Sequence, residues 1–341
     1  MSDTKYRVAV VGATGAVGEA LIGILDERDF PVSELVPLAS ERSAGDVLRF
    51  KARPATVRNL ADFDFTGVDI AFFSAGGSIS AEYAPRAVAA GATVIDNTSH
   101  FRYNDDVPLV ISEVNPHAIE AGRARGIIAN PNCSTMQMLV ALAPIHRAVG
   151  IVRIDVSTYQ SVSGAGRSGM DELGKQSLRM LTFKDPEPAT FPVQIAFNII
   201  PQIDAFQPNG YTKEEMKMVW ETHKILEDDS IQVTPTCVRV PVFYGHAVSC
   251  HIQTREPITV QQARALLSAA AGVVVVDEAV PGGYPTPVTH AAGTDPVYVG
   301  RIRQNLFHDR GLNLWIVADN IRKGAALNAV QIAELLIKGF S

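Results

Sequence analysis

Cysteine is scarce in this sequence: Cys133, Cys237 and Cys250 are the whole complement, and no two stand in a C-x-x-C spacing. That excludes a zinc site of paired thiolates and a disulfide framework, so no metal is expected. Runs of basic residues are also missing. With 30 Lys and Arg against 36 Asp and Glu, the formal net charge is -6, which leaves no electrostatic footprint for tracking nucleic acid or an anionic membrane. A small molecule is the expected partner. No apolar stretch approaches the ~18 residues that span a bilayer, and Met1-Ser2-Asp3-Thr4-Lys5 lacks the apolar core of a signal peptide. The cytoplasm is the expected compartment. There is no internal repeat and no low-complexity tract. What is present is 341 residues at 47% hydrophobic content, enough for two packed domains sharing a cleft.

The first part of the chain alternates strands and helices. Arg7 to Val11 is a short β-branched run that feeds into Gly12-Ala13-Thr14-Gly15-Ala16-Val17-Gly18 and then an amphipathic helix, Glu19 to Asp26. This order suits a dinucleotide, because glycine permits the tight turn and lets backbone N–H groups approach a pyrophosphate at a helix N-terminus. The next strand, Leu35 to Ala39, ends in Ser40-Glu41-Arg42-Ser43, where such folds read the adenosine ribose. An acidic residue there favours NAD, and an arginine with hydroxyls favours the 2′-phosphate of NADP. Both occur; the expectation is that Ser40 and Arg42 hold that phosphate with Glu41 turned away, against the alternative that Arg42 is a solvated loop charge. A third strand, Asp69 to Phe73, is followed by a second small-residue turn, Ser74-Ala75-Gly76-Gly77-Ser78, then by a helix from Ser80 to Ala90 and a strand from Thr93 to Ile95. The pattern is that of a Rossmann-type, doubly wound parallel α/β sheet. Polar residues from Asp96 to Arg102 then stand at its carboxyl end, where ligands bind. Arg102 is either an exposed charge or a fixed cation for an anionic substrate, while His100 and His117 are expected at the surface.

Asn130-Pro131-Asn132-Cys133-Ser134-Thr135 closes the apolar run Gly126 to Ala129 and opens a helical pattern, Met136 to Leu142. A cysteine at the start of a helix faces unpaired N–H groups and the positive end of the dipole, which favour its thiolate. Cys133 is therefore a candidate nucleophile, the alternative being a small buried residue at a turn. Beyond that helix Val152 to Gln160 alternates apolar and polar residues, the pattern of a half-buried antiparallel strand in a new domain. Ser161 to Gly169 is expected to be a flexible turn, Met170 to Met180 a helix, and Phe183 to Pro201, with four prolines, a loop covering something. Glu214 and Lys217 share a face of a helix opening at Thr212, either as a surface salt bridge or as a binding pair. Arg239 lies in an apolar strand, Val238 to Val242, and needs a partner there. His246 and His251 have opposite parity on the following strand, so only one faces a given cleft. A helix from Val260 to Ala271, a short run from Gly272 to Val276, a loop from Pro281 to Pro296, a strand from Leu314 to Ala318 and an apolar helix reaching Ile337 complete the pattern. The last helix is expected to pack on the first domain.

The segments Gly12 to Gly18, Ser74 to Ser78, Asn130 to Ser134, Ser163-Gly164-Ala165-Gly166, Arg239 with His246 seven residues on, and Asp319 to Ala326 together resemble the aspartate-β-semialdehyde dehydrogenase family. That family is a relative of glyceraldehyde-phosphate dehydrogenase in architecture, and the resemblance covers essentially the whole chain. It implies a dinucleotide-binding domain over residues 1–130, completed by a helix over 322–341, and an α+β catalytic and dimerisation domain over 131–321 with a mixed, largely antiparallel sheet. It implies that Cys133 is the nucleophile, His246 the acid/base, and Gln160 the residue that orients the reacting carbonyl. Arg239 would anchor the substrate α-carboxylate and Glu214 its α-ammonium, with Arg102, Asn132 and Lys217 forming the phosphate pocket. NADP(H) would be held by Gly12, Thr14, Gly15, Ala16, Val17, Ser40, Arg42, Ser43, Ser74, Ala75, Gly76, Ser163, Gly164 and Asn320. The implied reaction is the reversible reductive dephosphorylation of L-aspartyl-4-phosphate to L-aspartate-4-semialdehyde through a cysteine thioester, on the branch toward lysine, methionine and threonine, in a homodimer. Rival readings are N-acetyl-γ-glutamyl-phosphate reductase, malonyl-coenzyme A reductase and a catalytically silent dinucleotide-binding regulator.

Overall fold

The computed structural model describes residues 4–338. They fall into two compact units, one made of the chain up to Pro131 together with the segment from Ala325, the other of Asn132–Gly324.

The first unit contains β1 (Tyr6–Val11), α1 (Ala16–Glu27), β2 (Val32–Ala39), β3 (Val47–Phe50), β4 (Arg53–Thr56), β5 (Arg58–Asn59), β6 (Ile70–Phe73), α2 (Gly77–Ala89), β7 (Thr93–Asp96), α3 (Ile119–Arg125) and β8 (Ile127–Ala129). Six strands form one parallel sheet in the order β5-β2-β1-β6-β7-β8. β3 and β4 make a separate antiparallel hairpin that the alternation did not lead us to expect. The sheet is doubly wound. The chain runs outward from β1 to β2 and returns to β6, so Gly12 and Ser74, which follow β1 and β6, stand where the strand order reverses. α1 forms because Leu21, Ile22, Ile24 and Leu25 recur on one face, and that face is buried. It packs with Val8, Val10 and Phe72 from the sheet and with Val330 and Ile332 of the closing helix, Asn328–Lys338. Of the helix expected over 322–341, Arg322–Leu327 is a π-helical turn, and residues 339–341, like residues 1–3, lie outside the described ones.

The second unit contains α4 (Cys133–Val149), β9 (Ile151–Gln160), α5 (Gly166–Leu181), α6 (Lys213–Leu226), β10 (Gln232–Arg239), β11 (His246–Thr254), α7 (Val260–Ala269), β12 (Val273–Val275), β13 (Val297–Gln304) and β14 (Gly311–Ala318). Its sheet runs β10-β9-β11-β14-β13-β12. The three central pairings are antiparallel and the two outer ones parallel. β9 therefore corrects the expectation of a purely antiparallel strand: it pairs antiparallel with β11 and parallel with β10, a crossover that the helices between β9 and β10 make possible. The segment Ser161 to Gly169 is no flexible turn. Ser161, Val162 and Ser163 are buried, Val162 and Ser163 donate backbone bonds to Val242 O and Phe243 O, and α5 starts already at Gly166. The proline-rich loop seats Phe191, Ile195, Ala196 and Ile200 against Val162 and Leu173. β10 stops at Arg239, short of the expected Val242, because Pro241 has no N–H to continue the ladder. Among the described residues, no helix is long and apolar enough to cross a membrane.

Candidate active site

Cys133 is the first residue of α4. Asn132 caps the helix, its side-chain oxygen accepting the N–H groups of Ser134 at 3.0 Å and Thr135 at 3.2 Å. Cys133 is partly exposed, whereas Cys237 and Cys250 are buried, and burial pushes both of their thiols up. Gly324 comes so close that a Cβ there would stand 2.6 Å from the Cβ of Cys133. Only glycine allows that approach.

Glu214 gathers the neighbours of this helix end. Its Oε1 accepts from the Asn132 amide at 2.8 Å and the Gln160 amide at 3.1 Å, and its Oε2 from Lys217 Nζ at 2.9 Å. Burial raises its carboxyl pKa, but the Lys217 charge and the bonds from Lys217, Asn132 and Gln160 outweigh that and bring it down to about 2. Gln160 is held from its other side by Thr158, whose hydroxyl donates to Oε1 at 3.0 Å. Lys217 also reaches Asp204 at 2.9 Å; burial lowers its pKa, yet its anionic neighbours leave it raised. The Glu214–Lys217 pair is thus a buried cluster and not a solvated surface bridge. α6 contributes a further carboxylate that sequence reasoning missed: Glu221, fully buried, accepts the backbone N–H of Asn132 at 2.6 Å. It lies seven residues after Glu214, two helical turns along the same face, which is the signal that could have found it.

His246 opens β11 and is fully buried, while His251 lies elsewhere on that strand, 3.3 Å from Asn313 Oδ1. Burial and the Arg239 charge pull the His246 pKa down to about 3. Among the described residues its Nε2 has no hydrogen-bond partner. Arg239 ends β10 and donates from Nη1 to the Ser161 carbonyl at 2.8 Å; burial lowers its pKa, opposed by Glu214 and Cys133. Gly164 joins the two: a Cβ there would stand 2.7 Å from Arg239 Nη1 and 3.3 Å from His246 Nε2. Ser163 and Asn320 are buried together, the Asn320 amide donating to Ser163 Oγ at 3.0 Å.

In the first unit, Gly12 has φ +88° and a Cβ there would meet Ser74 and Ala75 at 3.0 Å, while one on Gly18 would stand 2.1 Å from Gly12 O. Among the described residues no side chain caps α1, whose N-cap is Gly15. The turn therefore has the close backbone packing and the uncapped N–H groups at Ala16 and Val17 that a pyrophosphate requires, and Thr14 sits within it. Ser40 and Arg42 are exposed, with Glu41–Ser43 in a 3-10 turn, and among the described residues neither Glu41 nor Arg42 is ion-paired. Gly76 is the N-cap of α2 at φ 98°. Arg102 is buried and donates to the Asn97 carbonyl at 2.9 Å. Structurally, then, Asn132, Gln160, Glu214 and Lys217 form one cluster, Arg239, His246 and Gly164 another, and Arg102 belongs to the first unit.

Two family models match the chain: "Semialdehyde dehydrogenase, NAD binding domain" over residues 7–122 and "Semialdehyde dehydrogenase, dimerisation domain" over residues 142–323. Aspartate-semialdehyde dehydrogenase 2 of Vibrio cholerae is 59% identical over 336 residues, covering 98% of this chain and 99% of that one. The Legionella pneumophila aspartate-semialdehyde dehydrogenase is 58% identical, covering 98% and 96%. A crystal structure of the Vibrio cholerae enzyme II complexed with ASA superposes with a TM-score of 0.97 at 58% identity, covering 99% of this chain and 100% of that one. The Candida albicans enzyme with NADP gives 0.75 at 26% identity, covering 98% and 99%. These relatives do not favour the rival readings. The chain belongs to the aspartate-semialdehyde dehydrogenase family, as an oxidoreductase with an NAD(P)-binding Rossmann domain.

Proposed function

We propose that this chain reduces L-aspartyl-4-phosphate to L-aspartate-4-semialdehyde, reversibly, with NADP(H), and that it does so in the cytoplasm as a homodimer. The observation that carries the reading is the convergence of Arg239 Nη1 and His246 Nε2 on Gly164, a guanidinium and an imidazole edge side by side in the unit that carries Cys133. Cys133, at the positive end of α4, attacks the acyl carbon, and phosphate leaves to give a thioester. Arg239 takes the α-carboxylate. Glu214, ionised at neutral pH, is the anion for the α-ammonium, with Gln160 orienting the carbonyl. Asn132, Lys217 and Arg102 supply donors for the phosphate. His246 handles the proton at the substrate oxygen. When bound, the nicotinamide dinucleotide supplies or accepts the hydride. The chain's part in holding it falls to the Gly12–Val17 turn, to Ser74, Ala75 and Gly76, to Ser163, Gly164 and Asn320, and to Ser40, Arg42 and Ser43, where the exposed, unpaired Arg42 supports preference for the 2′-phosphate.

The homodimer rests on the second unit's exposed apolar residues: Leu178, Leu181, Phe183, Phe197, Ile199 and Phe206 all stand in solvent around α5 and the loop after it. A patch of that kind is the usual mark of a subunit interface. The deciding assay is phosphate-dependent reduction of NADP⁺ with L-aspartate semialdehyde, beside N-acetyl-glutamate semialdehyde and Cys133→Ala. Activity with aspartate semialdehyde alone, needing phosphate and abolished in Cys133→Ala, is expected. Activity only with the acetylated substrate would refute the Glu214 role.

A further inference from the structure

The environment of His246 determines which nitrogen carries its proton. Nδ1 lies 3.1 Å from the backbone nitrogen of Ser161 and 3.0 Å from its hydroxyl. A backbone N–H can only donate, so Nδ1 must present its lone pair, and a proton on Nδ1 would meet that N–H head on. The Ser161 hydroxyl is held in turn: it lies 3.1 Å from Asn320 Oδ1 and 3.0 Å from Ser163 Oγ, and the same Asn320 oxygen accepts the N–H of Gly245, the residue before His246, at 3.1 Å. The hydroxyl has one proton, and when Asn320 Oδ1 takes it none is left for Nδ1, so the backbone N–H of Ser161 is the donor that fixes the ring. On the opposite edge Nε2 is buried with no partner among the described residues, and it faces the same point as Arg239 Nη1.

We propose that the backbone N–H of Ser161 positions His246 and locks it as the neutral Nε2–H tautomer, so that the ring enters acylation as a hydrogen-bond donor to the substrate oxygen and not as the base of that step. This rests on the acyl-transfer reading above. In the step, the lone pair of the Cys133 thiolate, already deprotonated, forms the S–C bond and the carbonyl π pair moves onto oxygen, where Nε2–H stabilises the anion. The pair then returns, the C–O bond to phosphate breaks, and phosphate leaves with its electrons. No proton leaves the ring. Burial and the Arg239 charge, which both disfavour the imidazolium, act in the same direction.

Two measurements test this on the full-length chain. Ring 15N spectra at neutral pH, with His246 assigned by its loss in His246→Gln, should show a protonated Nε2 and an unprotonated Nδ1, and should show the same in Ser161→Ala, which keeps the backbone N–H. The reverse tautomer, a doubly protonated ring, or a tautomer that flips in Ser161→Ala would overturn the proposal. Separately, acylation of Cys133 by L-aspartyl phosphate without dinucleotide is followed by quench and mass spectrometry. Loss of one such donor costs on the order of 10²-fold. His246→Ala should be slowed by about that factor, whereas His246→Gln, whose amide donates but cannot take a proton, should stay within about tenfold of the parent. Equal slowing of both would sink the donor role. If the parent chain forms no acyl-enzyme while the ring spectrum is as expected, the acyl-transfer reading is what fails, and the catalytic half of the proposal with it.

Discussion

Replacing Glu214 by glutamine should cost about 3 kcal/mol of stability at neutral pH. The magnitude follows from the carboxyl's displacement from 4.5 to about 2, at roughly 1.4 kcal/mol for each pH unit. Glu214 is buried, so solvent screening does not reduce the figure. Glutamine keeps an oxygen for the Asn132 and Gln160 amides but turns an NH2 group toward Lys217, which among the described residues then retains only Asp204 as an anionic partner. Because the folded carboxyl is the stronger acid, the stability it confers is complete above about pH 4.5 and is lost as pH falls from there through about 2. The difference between parent and Glu214→Gln should therefore shrink to about 1 to 2 kcal/mol at pH 3. Urea unfolding of both proteins at one fixed concentration, at pH 7 and at pH 3, measures it. A difference below about 1 kcal/mol at pH 7, or one of equal size at both pH values, would show that Glu214 is not held as an anion by its neighbours.

Iodoacetamide at neutral pH should label Cys133 and leave Cys237 and Cys250 unmodified in the folded chain, since both of the latter are buried with raised thiol pKa values; equal slow labelling of all three, read by peptide mass, would count against an activated Cys133. Gly164→Ala places a methyl 2.7 Å from Arg239 Nη1, and the resulting displacement should lower kcat/KM on the order of 10²-fold while shifting the melting temperature by only a few degrees; unchanged kinetics would remove Gly164 from the site. Arg42→Ala should raise KM for NADP⁺ by about tenfold or more, the worth of one charged hydrogen bond, and leave KM for NAD⁺ nearly unaltered; equal effects on both cofactors would mean Arg42 does not contact the 2′-phosphate.

The first unit's sheet was legible because each of its longer strands is a short apolar run ended by small or polar residues, so period and punctuation agreed. β13 was not. A register shift between Gly300 and Arg303, with Arg301 at φ 53°, breaks its two-residue alternation. Ser161 to Gly169 suggested flexibility on composition, but small residues are also what close packing against Val242 and Phe243 requires. The burial of Glu214 could not be read from its own helix, whose charged sequence suits solvent equally well. Its partners Asn132 and Gln160 come from segments 82 and 54 residues away. Residue types in the site could be anticipated from motifs, whereas the bonds that join them depend on the completed fold.

The construction of the first unit from two separated stretches bears on how the chain is made. The core around β1 and α1 includes Ala326, Leu327, Ala329, Val330, Ile332 and Ala333. During synthesis these residues emerge only after the whole of Asn132–Gly324 has been translated. The amino-terminal sheet, although made first, lacks part of its core until then, while the second unit already has every strand of its own. The unit translated first is thus completed last, and a nascent chain stalled before residue 325 would expose apolar sheet and helix surface to chaperones and proteases.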